Sequence, residues 1–200
     1  MVELIKKYDE EAEIIYVVGF MSDLVQKSIK GVKFVHNPFY NITNSIASLW
    51  FARDYLDGDI CIINGDIVME SKLIKDVVKN RLYESSALID SSIKTDGDYN
   101  VQVDNDNIIV MSKNLKNYFG EYAGIIKLKK PETSLLKNEI DFMIKEGNSD
   151  QWYENALVQL IFSKNLVLKY VDISKYDWTE IDCVDDLIKA KNIHKKDLVR

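Results

Sequence analysis

The chain carries little punctuation. Its 200 residues hold two prolines, two cysteines and eight glycines. So few prolines leave almost nowhere for a linker, and no repeat or low-complexity tract interrupts the sequence. Cys61 and Cys183 lack metal-ligand spacing, and one pair cannot make the disulfide framework of a small secreted fold, so a reduced cytoplasmic protein is expected. The glycines are scattered, and none belongs to a phosphate-cradling run. No apolar stretch approaches the length of a membrane span. The opening "MVELIKKYDEEAEIIYVVGF" has charges where a signal peptide has its apolar segment. His36 and His194 stand without a partner pattern, and no GxSxG, HExxH or CxxC occurs. A net charge of −6 gives no basic footprint for nucleic acid. It leaves room for a small anionic substrate, because a bound metal supplies positive charge locally.

What is present is an ordinary globular composition, 46% apolar and 29% charged, with enough chain for one domain and a real core. After a short helix over 2–8, "EIIYVVGF" reads as a strand buried on both faces. Ser22 opens a helix to about Lys30, and "VKFVHN" alternates like a strand. Asn44 or Ser45 then caps a helix carrying Ile46, Leu49, Trp50, Arg53 and Leu56 at helical spacing. "DICIINGDIVME" reads as one further buried strand, and Ser71 begins the next helix. This alternation predicts a parallel sheet with helices on its faces. Beyond residue 85 the rhythm becomes strand, turn, strand: "SSALIDSS", "YNVQVDNDNIIVMSK" with a hairpin turn at Asp104 to Asn107, and "GEYAGIIKLKK". A helix from Pro131, another over "DQWYENALVQLIFSK", a strand "LVLKYVDI" and a closing helix at "VDDLIKAKNI" complete one α/β unit. Its second half is mixed or antiparallel.

Asp66 follows its apolar strand on a glycine turn. Ligands of open α/β sheets bind beyond the carboxyl ends of the strands. Mg²⁺ takes one or two carboxylates at such a place, with phosphate oxygens and waters completing its shell. Asp66 is therefore a candidate metal ligand, and simple capping of the next turn is the competing reading. Asp182 ends a short extended piece in which Glu180 alternates to the same side. The helix that follows carries Asp185 and Asp186, acids that suit its dipole. "NPFYNITNSIASLW" offers Asn41, Thr43, Asn44 and Ser45 to a base or ribose, although ordinary capping explains them too. Tyr99, Tyr122, Trp152, Tyr153 and Trp178 fall near turns and strand ends, where a box for a cationic group competes with plain core packing.

"VVGF", "NPFYNITNSIASLW", "INGDIV", "MSKNL", "GEYAGIIKL", "WYENAL" and "WTEIDCVDDLIKA" also form an ordered set. In that order and spacing the chain resembles the sugar nucleotidyltransferase superfamily, and within it the bacterial phosphocholine cytidylyltransferases. The likeness spans nearly the whole chain. It implies a Rossmann-like nucleotidyltransferase fold, the nucleotide-diphospho-sugar transferase fold, a mixed sheet with helices on both faces. It also implies transfer of a nucleoside monophosphate, CMP from CTP, to a small phosphorylated acceptor such as phosphocholine or a sugar 1-phosphate, with release of pyrophosphate. By the resemblance Asp66 and Asp182 hold Mg²⁺ and, with Lys113, serve catalysis. Asn44, Ser45 and Gly65 approach the nucleotide. Tyr99, Glu121, Tyr122, Trp152, Tyr153 and Glu154 approach the acceptor. Residues 1–85 form the nucleotide half and 86–200 the acceptor-binding, metal-completing half.

One departure stands out. The family's first strand and the Gly-rich loop that cradles the triphosphate have no counterpart in the sequence. The expectation is that Met1 is internal to a longer protein. The alternatives are a non-catalytic truncated paralogue that still binds nucleotide or phosphorylated ligand, and a strand supplied by a second chain in a homo-oligomer. A nucleotide-sugar glycosyltransferase would want an aspartate two residues before Asp66, where Asn64 stands.

Overall fold

The computed structural model describes residues 1–80, 84–93, 99–113 and 115–199. Helix α1, Val2–Tyr8, leads to strand β1, Ile15–Val18, and α2, Ser22–Ser28, carries the chain to β2, Lys33–His36. β1 and β2 pair in parallel, with Ile15 opposite Lys33, which is the unit the alternation predicts. Helix α3, Ser45–Phe51, begins at Asn44, whose Oδ1 accepts the Ser45 N–H at 2.7 Å. A 3₁₀ turn over Arg53–Tyr55 replaces the last expected turn, and the Arg53 guanidinium lies 4.0 Å over the Trp50 ring.

The apolar run around Asn64 is not one strand. β3, Ile60–Ile63, pairs antiparallel with β8, Gly120–Leu128, whereas β4, Ile67–Met69, pairs antiparallel with β10, Trp178–Glu180. The chain changes sheets at Asn64, whose N–H still donates to the Gly124 carbonyl at 2.9 Å before the Gly65–Asp66 turn. Apolar continuity reports burial and is silent about which strand a segment pairs with, so the break was hidden. β3 is also less enclosed than expected. Cys61 is exposed and the isoleucines beside it are half-buried.

β5, Ser86–Asp90, β6, Asn100–Asp104, β7, Asn107–Ser112, and β9, Lys169–Asp172, join β3 and β8 in a six-stranded mixed sheet ordered β3-β8-β5-β9-β7-β6. β5 and β9 run parallel. The β6–β7 hairpin closes with Asp104 opposite Asn107, and Asn105 takes a left-handed φ of 50° where a glycine would be usual. Among the described strands, β1 and β3 each pair along one edge only.

Helices α5, Lys130–Lys145, and α6, Tyr153–Lys164, pack with α3 on one face of this sheet: Ile46, Leu136, Ile140 and Leu157 meet Ala87, Ile89 and Ile126. The opposite face buries Leu88 and Ile125 against Leu73 and Ile74, from α4, Ser71–Leu73, and the π turn Ile74–Val78 that continues it. Neighbours along β5 and β8 thus go to opposite clusters, as strand alternation demands. Each such side chain contributes ~1.5–3 kcal/mol by leaving water. Lys127, on β8, is buried and donates to the carbonyls of Val77 and Val78 at 3.2 and 2.8 Å, which closes the π turn. Burial lowers its pKa, and the carbonyl end of the turn keeps the ammonium partnered. Helix α7, Val184–Val199, ends the fold. No described helix is long and apolar enough to cross a membrane.

Candidate active site

Asp66 and Asp182 lie on loops that the β4–β10 pairing brings together. The Asp66 carbonyl accepts the Ile181 N–H at 3.1 Å, and both aspartates are exposed. Asp186 accepts the N–H groups of Asp182 and Cys183 at 3.2 and 3.0 Å, so it caps α7, and the Cys183 bonds hold its carboxyl below the usual range. The dipole reading therefore suits Asp186. Asp182 lends that cap only its backbone. Among the described residues no group of three or more His, Cys, Asp or Glu forms a closed metal cage. Asp66 and Asp182 still fit Mg²⁺, which needs one or two carboxylates and takes its other ligands from water and phosphate. Gly65 does not carry a left-handed φ, and a Cβ there would meet open space. The turn therefore does not depend on glycine.

Most of the other expected residues meet at the N-terminus of α6. Trp152 is the N-cap residue; its ring meets Tyr99 edge-on at 6.5 Å, and Lys113 Nζ lies 4.3 Å from its centroid. Tyr153 donates its N–H to Ser45 Oγ at 3.0 Å, and its hydroxyl lies 2.7 Å from that of Tyr122. Asn155 Oδ1 accepts the Tyr99 hydroxyl at 2.5 Å. Asn44 thus caps α3, and Ser45 ties α3 to α6. Tyr122 and Tyr153 are buried rather than open, and burial raises both phenols. Glu121 sits at the start of β8 opposite Asp90 and Asn100. Asn114 of "MSKNL" lies outside the described residues.

Glu154 is the electrostatic centre of this cluster. It is 3% exposed. Burial pushes its carboxyl up to about 7; its own backbone N–H and the Asn64 and Tyr153 side chains pull the other way, and the charge of Asp66 adds to the rise. None of these contacts reaches Oε2, which has no hydrogen-bond partner. Burial and then the Glu154 charge push Tyr99 up to about 12.

Sequence reasoning missed two residues here. Asn64 carries the strand exit and lies beside Gly124, where an added Cβ would fall 3.1 Å from its side chain. Asn37 is buried and donates to Thr43 Oγ1 and Ser48 Oγ at 3.2 and 3.1 Å, holding the polar segment before α3. Its place before Pro38 was the available signal. A groove of about 570 Å³ lies elsewhere, along α7, lined by Trp178, Ile188, Ile193 and Lys196.

No family model matches the chain. Over 69 residues it is 30% identical to the CMP-5'-(3-aminopropyl)phosphonate synthase of Streptomyces rubellomurinus, a match spanning 32% of this chain and only 11% of that protein. In three dimensions it is similar to the inositol-1-phosphate CTP transferase of T. maritima, with a TM-score of 0.75 and 17% identity over 97% of this chain and 82% of the other. It is also similar to the CTP:phosphocholine cytidylyltransferase of Streptococcus pneumoniae, with a TM-score of 0.72 and 20% identity over 96% and 82%. A UDP-glucose pyrophosphorylase gives 0.69 and 11% identity over 97% and 85%. The chain has the nucleotide-diphospho-sugar transferase fold.

Proposed function

We propose that the chain is a Mg²⁺-dependent nucleotidyltransferase that moves CMP from CTP to a small phosphorylated acceptor. The observation that carries this reading is the joined pair of loops bearing Asp66 and Asp182, with the Asp66 charge acting on Glu154 of α6. The similar proteins support it, since CMP or CTP appears in the names of three of them. An acceptor phosphate oxygen attacks the α-phosphorus, the bond from that phosphorus to the bridging oxygen breaks, and pyrophosphate leaves. Such displacement needs positioning and charge neutralisation more than a covalent nucleophile. Asp66 and Asp182 would hold the metal, which when bound would neutralise phosphate charge. Lys113 contributes a cation on the acceptor side.

In this reading residues 1–85 serve the nucleotide and 86–200 the acceptor and metal. The setting is the cytoplasm, in keeping with two free cysteines. Self-association through the open edges of β1 and β3 belongs to the same reading. The second reading is nucleotide binding without turnover, favoured by the absence of any phosphate-cradling glycine run in the sequence. Pyrophosphate release, measured with Mg²⁺, each of four NTPs and a panel of phosphorylated acceptors, separates them. Release with CTP and acceptor together supports transfer. Tight CTP binding with no release supports the second reading.

A further inference from the structure

The ladder between β4 and β10 ends with Glu180 opposite Ile67, and just beyond it the Ile181 N–H reaches the Asp66 carbonyl. Asp182 and Cys183 lie past the ladder. Their N–H groups turn to Asp186, whose Oδ2 accepts from Asp182 at 3.2 Å and from Cys183 at 3.0 Å. The Cys183 thiol donates to the same oxygen, also at 3.0 Å. An acid at the third position of a helix that reaches back to the residue before the helix is one half of a capping box. Helix stability alone accounts for the Cys183 bond. It does not account for the bond to Asp182, which stands outside the helix. Three donors converge on Oδ2, so that oxygen serves the chain rather than a metal. Asp185, with the same charge in the same turn, lines the groove along α7 instead.

Building on the transfer reading above, we propose that Asp186 is a positioning residue of the metal site, acting through Asp182. The ladder fixes the chain on one side of Asp182 and Asp186 fixes it on the other, so the Asp182 carboxylate leaves the backbone in a direction set before a metal arrives. A ligand already in place has less freedom to lose on binding. Groups that orient metal ligands are typically worth ~10–100-fold in affinity.

The test is Mn²⁺ binding to the full chain with CTP present, followed by electron paramagnetic resonance. Asp186→Ala should weaken Mn²⁺ by ~10-fold. Asp186→Asn should restore binding to within ~3-fold of wild type, because its amide oxygen accepts the same N–H groups. Asp185→Asn removes the same charge from the same turn and should leave the affinity unchanged. Adding Asp186→Ala to Asp182→Ala should cost nothing further, since Asp186 acts only through Asp182. One cap is too small a contribution to unfold the chain, and denaturant midpoints check that each variant is folded. Unchanged Mn²⁺ affinity in Asp186→Ala reduces the residue to a helix cap and overturns the proposal. So does an equal loss in Asp186→Asn or Asp185→Asn, which makes charge the cause, or a further loss in the double variant. If Asp182→Ala binds Mn²⁺ as tightly as wild type, the metal pair of the transfer reading fails and this inference falls with it. A loss in Asp182→Ala with none in Asp186→Ala sinks this inference alone.

Discussion

The Asp66 carbonyl accepts the Ile181 N–H at 3.1 Å, and that bond holds two distant carboxylate loops side by side. Asp66→Ala and Asp182→Ala should each lower kcat by ~10²-fold or more, as expected for groups that neutralise charge in the transition state. The double variant should lose little beyond either single one, because residues acting as a unit are not additive. Both side chains are exposed, so unfolding should shift by no more than ~0.5 kcal/mol. Steady-state kinetics with denaturant titrations check both parts.

Glu154 makes stability fall as pH rises. Burial raises its folded carboxyl to about 7 from an ordinary value of 4.5. Between those pH values the folded state holds more protons than the unfolded state, so its stability is full at low pH and is lost through the window up to about 7. Glu154→Gln removes the ionisation. Its unfolding midpoint should match the wild type near pH 5 and exceed it near pH 8, by an amount worth a few kcal/mol at most. Thermal melts at the two pH values decide it; parallel pH profiles for the two proteins would be the contrary result.

Tyr122 and Tyr153 share a buried hydroxyl contact of 2.7 Å. Tyr153→Phe and Tyr122→Phe should each cost about 1 kcal/mol. The double variant should cost less than the sum, since the two changes remove one shared contact. A double-mutant cycle in urea measures the coupling.

Gly124 has φ +68°, and a Cβ there would fall 3.0 Å from Ile67 Cγ1 and 3.1 Å from Asn64. Gly124→Ala should cost about 2 kcal/mol from the left-handed backbone alone. It should also lower turnover, because Asn64 leads directly into Asp66. Stability and kinetics of the same variant test the link; an alanine variant that is stable and fully active would break it.

The regular elements were legible because their causes are local. The apolar runs of β1, β5 and β8, the Asp104–Asn107 hairpin and the helix after Trp152 each announce themselves by period or turn chemistry. The split between β3 and β4 was not legible, since it depends on β8 and β10, far along the chain. Glu154 shows the same limit at the site. A glutamate in the first turn of a helix reads as a solvent-facing partner of the dipole, and only the packing of α6 against Tyr99 and Tyr122 makes it a buried charge. Ser45 shows the limit again, since its Oγ accepts the Tyr153 N–H and ties α3 to α6, a contact between distant segments that no local pattern records.

The claim on which the rest depends is that Asp66 holds the metal that accompanies a nucleotide. Mn²⁺ is a spectroscopic stand-in for Mg²⁺, and its binding can be followed by electron paramagnetic resonance with CTP present and absent. The wild-type chain should bind Mn²⁺ more tightly with CTP, and Asp66→Ala should lose at least ~10-fold of that affinity while remaining folded. Unchanged Mn²⁺ affinity in Asp66→Ala, or binding indifferent to CTP, would remove Asp66 from the metal site and the nucleotidyl-transfer reading with it.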